Sequence, residues 1–373
     1  MSFVIPLYPL YALLFADTGL SDADISVLFV IWSGVGIVAE VPMGAVADRF
    51  SRRHAMVAAG VGQAAGYVLW TAWPGYAGFA LGFVAWSLFG ALSSGTLEAL
   101  VYDGLAAVGA QSHYVTVLGR IRAAELLSQL PNAAAATLLF AVGGYPLVGW
   151  VSVGMCLCAA ALATRLPEAP RSAPDSDDDA DDLGYFATLR AGVAEAAARP
   201  AVRGAVAAVA LLAGLDAFEE YFSLLANEWG VPVIEVPFAV LVIPVAGAIG
   251  AAVGGRYGRL RPALLCSILA AGVVVLGAAG VLHRPIGLVG LGLFYGLYRL
   301  VWLVADARLQ ESITGRARAT VTSVAELGTE FTCLLVYAAW AVHQVIGIAV
   351  LGLAVALLLP FCLRRRTVSA SRG

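Results

Sequence analysis

A ten-residue polar turn, Gly44-Ala-Val-Ala-Asp48-Arg49-Phe-Ser-Arg52-Arg53, separates two long apolar stretches. The stretch before it, Ile25 to Val46, carries one charge, Glu40. The stretch after it, Ala55 to Trp73, carries none. A helix needs roughly 20 apolar residues to cross the hydrocarbon of a bilayer. A charged hairpin this short between two such runs belongs at a membrane surface.

The rest of the chain follows the same alternation. Of its 373 residues, 61% are hydrophobic and 13% charged, whereas soluble domains are about 45–50% apolar and about 25% charged. The mean hydropathy of +0.87 points the same way and excludes a soluble globular fold. Apolar runs read against turn residues give twelve spans, at about 3–19, 25–46, 55–73, 76–101, 115–141, 145–164, 203–226, 236–254, 262–282, 286–306, 318–342 and 345–363. Backbone amides in hydrocarbon must be paired within their own segment, so runs of this length are helices. A β-barrel would show alternating segments about half as long. The fold class expected is an all-α membrane protein with twelve transmembrane helices. No small-residue cleavage site follows the first run, and Asp17 and Gly19 end it. It is read as a first transmembrane helix and not as a signal peptide. The five cysteines lie in or beside apolar runs, as small packing residues, with neither metal-site spacing nor a disulfide framework.

Arginine sets the orientation. All 22 basic residues are Arg; 20 fall on one side of the predicted membrane, Arg284 falls on the other, and Arg299 lies inside a span. The positive-inside rule then places both termini and the Gly44–Arg53 turn in the cytoplasm of a multi-pass protein. The long hydrophilic interruption after the sixth span holds Pro167, Pro170, Pro174 and the run from Asp175 to Asp182, then a surface helix expected at Leu183–Arg199. Such an acidic, proline-bearing stretch buries too little surface to fold and reads as a linker. The expected organisation is an N-terminal six-helix bundle (1–165), a linker (166–202), a C-terminal six-helix bundle (203–366) and a cytoplasmic tail (367–373). The halves echo each other, since Gly44-Ala-Val-Ala-Asp-Arg-Phe-Ser-Arg52 aligns with Ala251-Ala-Val-Gly-Gly-Arg-Tyr-Gly-Arg259. An even number of spans per half makes the two repeats parallel.

The turn's pattern, G-x-x-x-D-R-x-[GS]-R-R, resembles the loop between the second and third helices of the major facilitator superfamily. Arg316-Ala-Arg318-Ala-Thr320-Val-Thr-Ser323 is similar to the start of the eleventh helix in its drug and metabolite transporters. The resemblance runs from Phe3 to Arg366. It implies two pseudo-symmetric six-helix bundles with a substrate site near mid-membrane. It also implies a gating set of Gly44, Asp48, Arg49, Arg52, Arg53 and Asp103. In that set Asp48 faces the start of the eleventh helix near Arg316 to Thr320, and Arg52 or Arg53 clamps Asp103. Two family motifs are reduced here. Ala91-Leu-Ser-Ser94-Gly95 stands where a basic residue precedes Gln-Gly, and Leu130-Pro131-Asn132-Ala-Ala-Ala135 replaces the antiport motif G-P-x-x-G-G. The direction of transport is therefore left open by these motifs.

Charges within spans cost about 2.5–3.5 kcal/mol each on insertion scales, so each one asks for a reason. In the first half, Glu40, Glu98, Arg120, Arg122 and Glu125 join Asp48 and Asp103 as an inner charge network. Glu40, Gly44 and Asp48 share one helical face. In the second half, Asp216 is expected to share a face with Glu219 and Glu220. Arg299 lies at the depth of Glu326, its expected partner, with Glu330 one turn on. Asp216, Glu219, Arg299, Glu326 and Glu330 are the candidate proton and substrate site, and Glu220 is read as a structural pair or a solvated residue of the outer mouth. Acids outnumber bases here, so at least one carboxylate is expected to face an aqueous cavity unpaired, as a proton carrier does. Tyr67, Trp70, Trp86, Tyr295, Tyr298 and Trp302 are expected to line an amphipathic cavity or the interfacial belt.

These readings converge on a secondary transporter of a small molecule, with protons as the coupling ion. The favoured substrate is an amphipathic or cationic compound moved outward. Uptake of a polar metabolite or sugar is the alternative, although polar span residues such as Gln63, Gln129, Asn132 and Gln310 are few. No nucleotide-binding motif supports ATP drive. No cofactor or nucleic-acid partner is expected, only the bilayer, and the chain is expected to be a monomer and not an enzyme. A non-transporting sensor and a membrane prenyltransferase are more remote; for the latter, Asp178-Asp179-x-x-Asp182 occurs once, in a low-complexity linker.

Overall fold

The structure, a computed structural model, describes residues 5–49, 51–93, 96–166, 200–256, 260–312 and 318–363. The acidic linker, its expected surface helix, the C-terminal tail and Arg316 lie outside these residues, and the side chains of Asp48, Arg49 and Arg122 are not described. The twelve expected spans are largely helical where described, with short turns such as those at 92–93 and 240–241, and no strand occurs among the described residues.

Local sequence sets the ends of these helices. In α2 (Asp22–Arg49) the hydroxyl of Ser21 accepts from the amide of Asp24 at 3.2 Å, while the Asp24 carboxylate accepts from the Ser21 amide at 3.0 Å. This reciprocal cap satisfies donors that a helix start leaves open. Ser51 caps α3 (Arg52–Ala72) by accepting from the amide of His54 at 3.2 Å. It thereby fixes the cationic turn at the point where the third span begins. Before these, α1 (Tyr11–Asp17) continues the short 3-10 turn Tyr8–Leu10. The fourth span comprises α4 (Tyr76–Ala91) and α5 (Thr96–Ala107).

The fifth and sixth spans form α6 (Tyr114–Ala163), a 50-residue run. At 1.5 Å per residue it would be about 75 Å long if straight, far more than one crossing. It reverses at Gly143 and Gly144, where Gly144 adopts φ +60°, a conformation open to glycine at little cost. The second half continues with α7 (Pro200–Gly214), the 3-10 stretch Leu215–Tyr221, α8 (Phe222–Glu228), α9 (Val236–Ala239), α10 (Val242–Arg256), α11 (Pro262–Leu282) and α12 (Gly287–Ser312). Finally, α13 (Arg318–Cys362) holds the last two spans and reverses at His343 and Gln344. Among the described residues, seven helical stretches are long and apolar enough to cross a membrane, and two of these contain the reversals just described.

Two compact units result, Met1–Ala173 with Glu220–Leu241, and Pro174–Glu219 with Val242–Gly373. In the first, α3 packs on α4 and α6, and α2 packs on α4. Its core is a ring cluster of Tyr11, Phe15, Phe29, Tyr67, Trp70, Phe79, Phe83 and Trp86. Tyr67, Trp70 and Trp86, expected in a cavity or at the interface, are buried here instead. Aromatic pairs in edge and offset contact are worth about 0.5–1.5 kcal/mol beyond burial, which draws these rings inward. The segment Glu220–Leu241 joins this unit through contacts of α8 with α1 and of α9 with α6. In the second unit α12 packs against α7, α10 and α11, and α13 against α7 and α11. The crossing of α10 and α12 is close, since a Cβ on Gly250 would lie 1.9 Å from the carbonyl oxygen of Gly296. Small residues permit this approach, here spaced as Gly250-x-x-x-Gly254 and Gly292-x-x-x-Gly296.

Candidate functional site

The second unit brings an acid and a base together inside the bundle. Asp216 lies in the 3-10 stretch Leu215–Tyr221 and Arg299 on α12. Arg299 Nη1 donates to Asp216 Oδ2 at 3.3 Å, and the hydroxyl of Tyr295 donates to Asp216 Oδ1 at 2.8 Å. Both carboxylate oxygens are thus engaged from one face of α12. One turn from Tyr295, the Arg299 guanidinium stands 4.3 Å from the centroid of the Trp302 ring and 5.9 Å from that of Tyr295. Tyr298 anchors α12 to α7 by donating to the carbonyl of Leu212 at 2.8 Å. Gly247 on α10 makes room for the cluster, because a Cβ there would meet the Tyr295 ring at 2.7 Å and the Arg299 stem at 3.3 Å.

This geometry corrects two expectations. Arg299 forms its ion pair with Asp216, where Glu326 was expected; Glu326 is exposed and Glu330 half-buried on α13. Asp216, Glu219 and Glu220 do not share one face. The segment is a 3-10 helix with about three residues per turn, so Asp216 and Glu219 stand in line while Glu220 is rotated by about 120°. Glu219 acts electrostatically on Tyr295, Tyr298 and Arg299. Among the described residues, Glu219 thus stands with Asp216 in the neighbourhood of the Arg299 guanidinium. The pair is partly open to solvent, with side-chain exposures of 31% for Arg299 and 28% for Asp216, so its net worth is well below that of a dry ion pair.

Glu220 is held in a structural pair and is not a solvated residue of the outer mouth. It is buried in the first unit, where the hydroxyl of Tyr11 donates to its carboxylate. Next to it, the hydroxyls of Tyr221 and Ser26 lie 2.9 Å apart, and the Thr137 hydroxyl donates to the carbonyl of Ile234 at 3.0 Å. These polar contacts seat Glu220–Leu241 on α1, α2 and α6. Tyr11 could not have been singled out from sequence, because its partner lies 209 residues away.

At the other end of the first unit, Arg52 rather than Arg53 engages Asp103, through Nη1 and Oδ2. Arg52 sits in the first turn of α3 and Asp103 near the end of α5. Glu98 and Glu125 are half-buried, while Glu40 and Arg120 are exposed. Gly44 is half-buried in α2, and the side-chain positions of Asp48, Arg49 and Arg122 are outside the description. Among the described residues, no group of His, Cys, Asp and Glu has the arrangement of a metal site.

Comparison with known proteins agrees with this architecture. The nucleoside transporter NupG is 14% identical, with 97% of this chain and 98% of that one covered at a TM-score of 0.70. A D-xylose–proton symporter is 14% identical, covering 96% of this chain and 92% of that one at 0.69. A bacterial homologue of the human lysosomal transporter Spinster, in an inward-facing and unoccupied conformation, is 16% identical, covering 97% and 92% at 0.64. At these identities the likeness is one of fold. No curated protein matches the sequence. The family model described as Major Facilitator Superfamily matches residues 1–337. The chain therefore belongs to the Major Facilitator Superfamily and is a multi-pass membrane transporter rather than an enzyme.

Proposed function

We propose that the protein is a proton-coupled secondary transporter that exports an amphipathic cation by rocker-switch alternating access. The observation that carries this reading is the Asp216–Arg299 pair, flanked by Glu219 and bordered by Tyr295, Tyr298 and Trp302. Asp216 and Glu219 offer carboxylates to a positive guest, and the rings suit an apolar body. Asp216 is the group for which proton and substrate compete. A proton on Asp216 weakens its hold on Arg299 and removes the charge by which Asp216 attracts a cation. Its departure restores the carboxylate, so each ligand promotes release of the other. Glu330, half-buried on α13, is a second candidate carrier.

The inner gate in this reading is the Arg52–Asp103 pair with Gly44, Asp48, Arg49 and Arg53 around it. It works with both termini in the cytoplasm and the protein as a monomer. Asp48→Asn is then expected to slow transport without lowering expression.

Uptake of a polar metabolite is the second reading. Tyr295, Asp216 and Arg299 together offer donors and acceptors to a hydroxylated solute, and fold relatives include a nucleoside transporter and a sugar–proton symporter. Proteoliposomes under an imposed pH gradient discriminate the two. Export by exchange drives a cation against the proton flow; uptake by symport carries a neutral polyol with it. A host lacking its own exporters, screened with a compound panel, would supply the substrate.

A further inference from the structure

On α12, Tyr295, Arg299, Trp302 and Asp306 follow one another at intervals of four, three and four residues. At about 100° per residue these four side chains fall within an arc of about 60°. The exposed apolar residues Val289, Leu293 and Leu303 point elsewhere, centred about 100° away. The helix thus has a lipid-type face and a separate polar stripe. Trp302 and Asp306 are both partly exposed on that stripe. Asp306 lies about 10 Å along the axis from Arg299, towards the helix end where Arg308 donates to the carbonyl of Leu260. It makes no hydrogen bond or ion pair with any described residue. Asp306 stands at the end of the apolar run of α12, beside a half-open Trp ring and in line with the ion-paired site.

We infer that Asp306 and Trp302 form a docking subsite for the cationic substrate on the side where α12 ends, ahead of the Asp216 site. This rests on the cation-export reading above. The substrate's positive group pairs with Asp306, and its apolar body lies against the exposed part of Trp302, one turn away and about 5–6 Å between Cβ atoms. From there the cation moves up the stripe to Asp216, while Arg299, held over Trp302, keeps the carboxylate occupied until it arrives.

The test uses the full chain in proteoliposomes of known orientation, with ethidium, a planar aromatic monocation, as probe under an imposed pH gradient. Asp306→Asn is expected to raise the half-saturation concentration roughly two- to fivefold when ethidium is presented on the side of the chain termini. The maximal rate and the half-saturation from the opposite side should stay unchanged, and Asp306→Glu should restore the native value. Asp306→Ser serves the same purpose if the amide variant is not recovered. An unchanged half-saturation, or an equal change from both sides, overturns the subsite while native pH-driven ethidium flux leaves the export reading intact. Absence of that flux in the native protein removes both together.

Discussion

Asp216 has both carboxylate oxygens occupied by α12, Oδ1 by the Tyr295 hydroxyl and Oδ2 by Arg299. Removing one partner leaves the other's charge stranded in the bundle. Asp216→Asn should therefore destabilise the protein by about 1–2 kcal/mol, less than a fully buried pair because each side chain is about 30% exposed. The double variant Asp216→Asn/Arg299→Gln should recover most of that loss in a thermal-unfolding assay and still fail to couple flux to protons. Recovery of coupling in the double variant would contradict the role given to Asp216.

The Arg52–Asp103 pair is more open, with Asp103 47% exposed. A double-mutant cycle with Arg52→Gln and Asp103→Asn should give a coupling energy of about 0.2–1 kcal/mol in stability. Its larger effect is expected on transport rate. Equal rates in the native protein and both single variants would remove the pair from the gate.

Among the described residues, the buried hydroxyl of Tyr67 has no hydrogen-bond partner, and its ring lies beside those of Trp70 and Trp86. An unsatisfied buried hydroxyl costs about 1–3 kcal/mol. Tyr67→Phe should accordingly leave stability unchanged or raise it, contrary to the usual sign for core substitutions. Tyr11→Phe should do the opposite, since it takes a donor from the buried carboxylate of Glu220. Melting temperatures of the two variants in one detergent decide the matter; a fall for Tyr67→Phe would show that its hydroxyl is satisfied.

At the crossing of α10 and α12, a methyl group on Gly250 has no room against the Gly296 carbonyl. Gly250→Ala should cost about 1–3 kcal/mol through overpacking. Gly255→Ala, where the nearest atom outside the helix is 3.9 Å away, should be close to neutral and serves as control. Matching losses in both would argue against a tight crossing.

Much of this architecture was legible in the sequence because hydrocarbon leaves the backbone few choices. Long apolar runs had to be helices, and the break expected between 115–141 and 145–164 falls where Gly143 and Gly144 reverse the chain. The charge pairs were less legible. Arg52 with Asp103 came from the family resemblance, as no local rule reaches across 51 residues. Arg299 was assigned by depth alone, and depth estimates assume an unbroken α-helix. The 3-10 stretch at Leu215–Tyr221 breaks that assumption, separating Glu220 from Asp216 and bringing Asp216 to Arg299. Tyr67, Trp70 and Trp86 were misplaced for another reason. An aromatic residue in a membrane span suits an interface, a cavity or a core, and only the tertiary partners choose among them.

In the proposed mechanism Asp216 is the carboxylate shared by proton and substrate. Its most direct test is pH-gradient-driven flux of an aromatic monocation in proteoliposomes, native protein against Asp216→Asn. The native protein is predicted to move the cation against the proton flow, and the variant to lose at least about tenfold of that flux, or about 1.4 kcal/mol. Undiminished, pH-driven flux in the variant would contradict it.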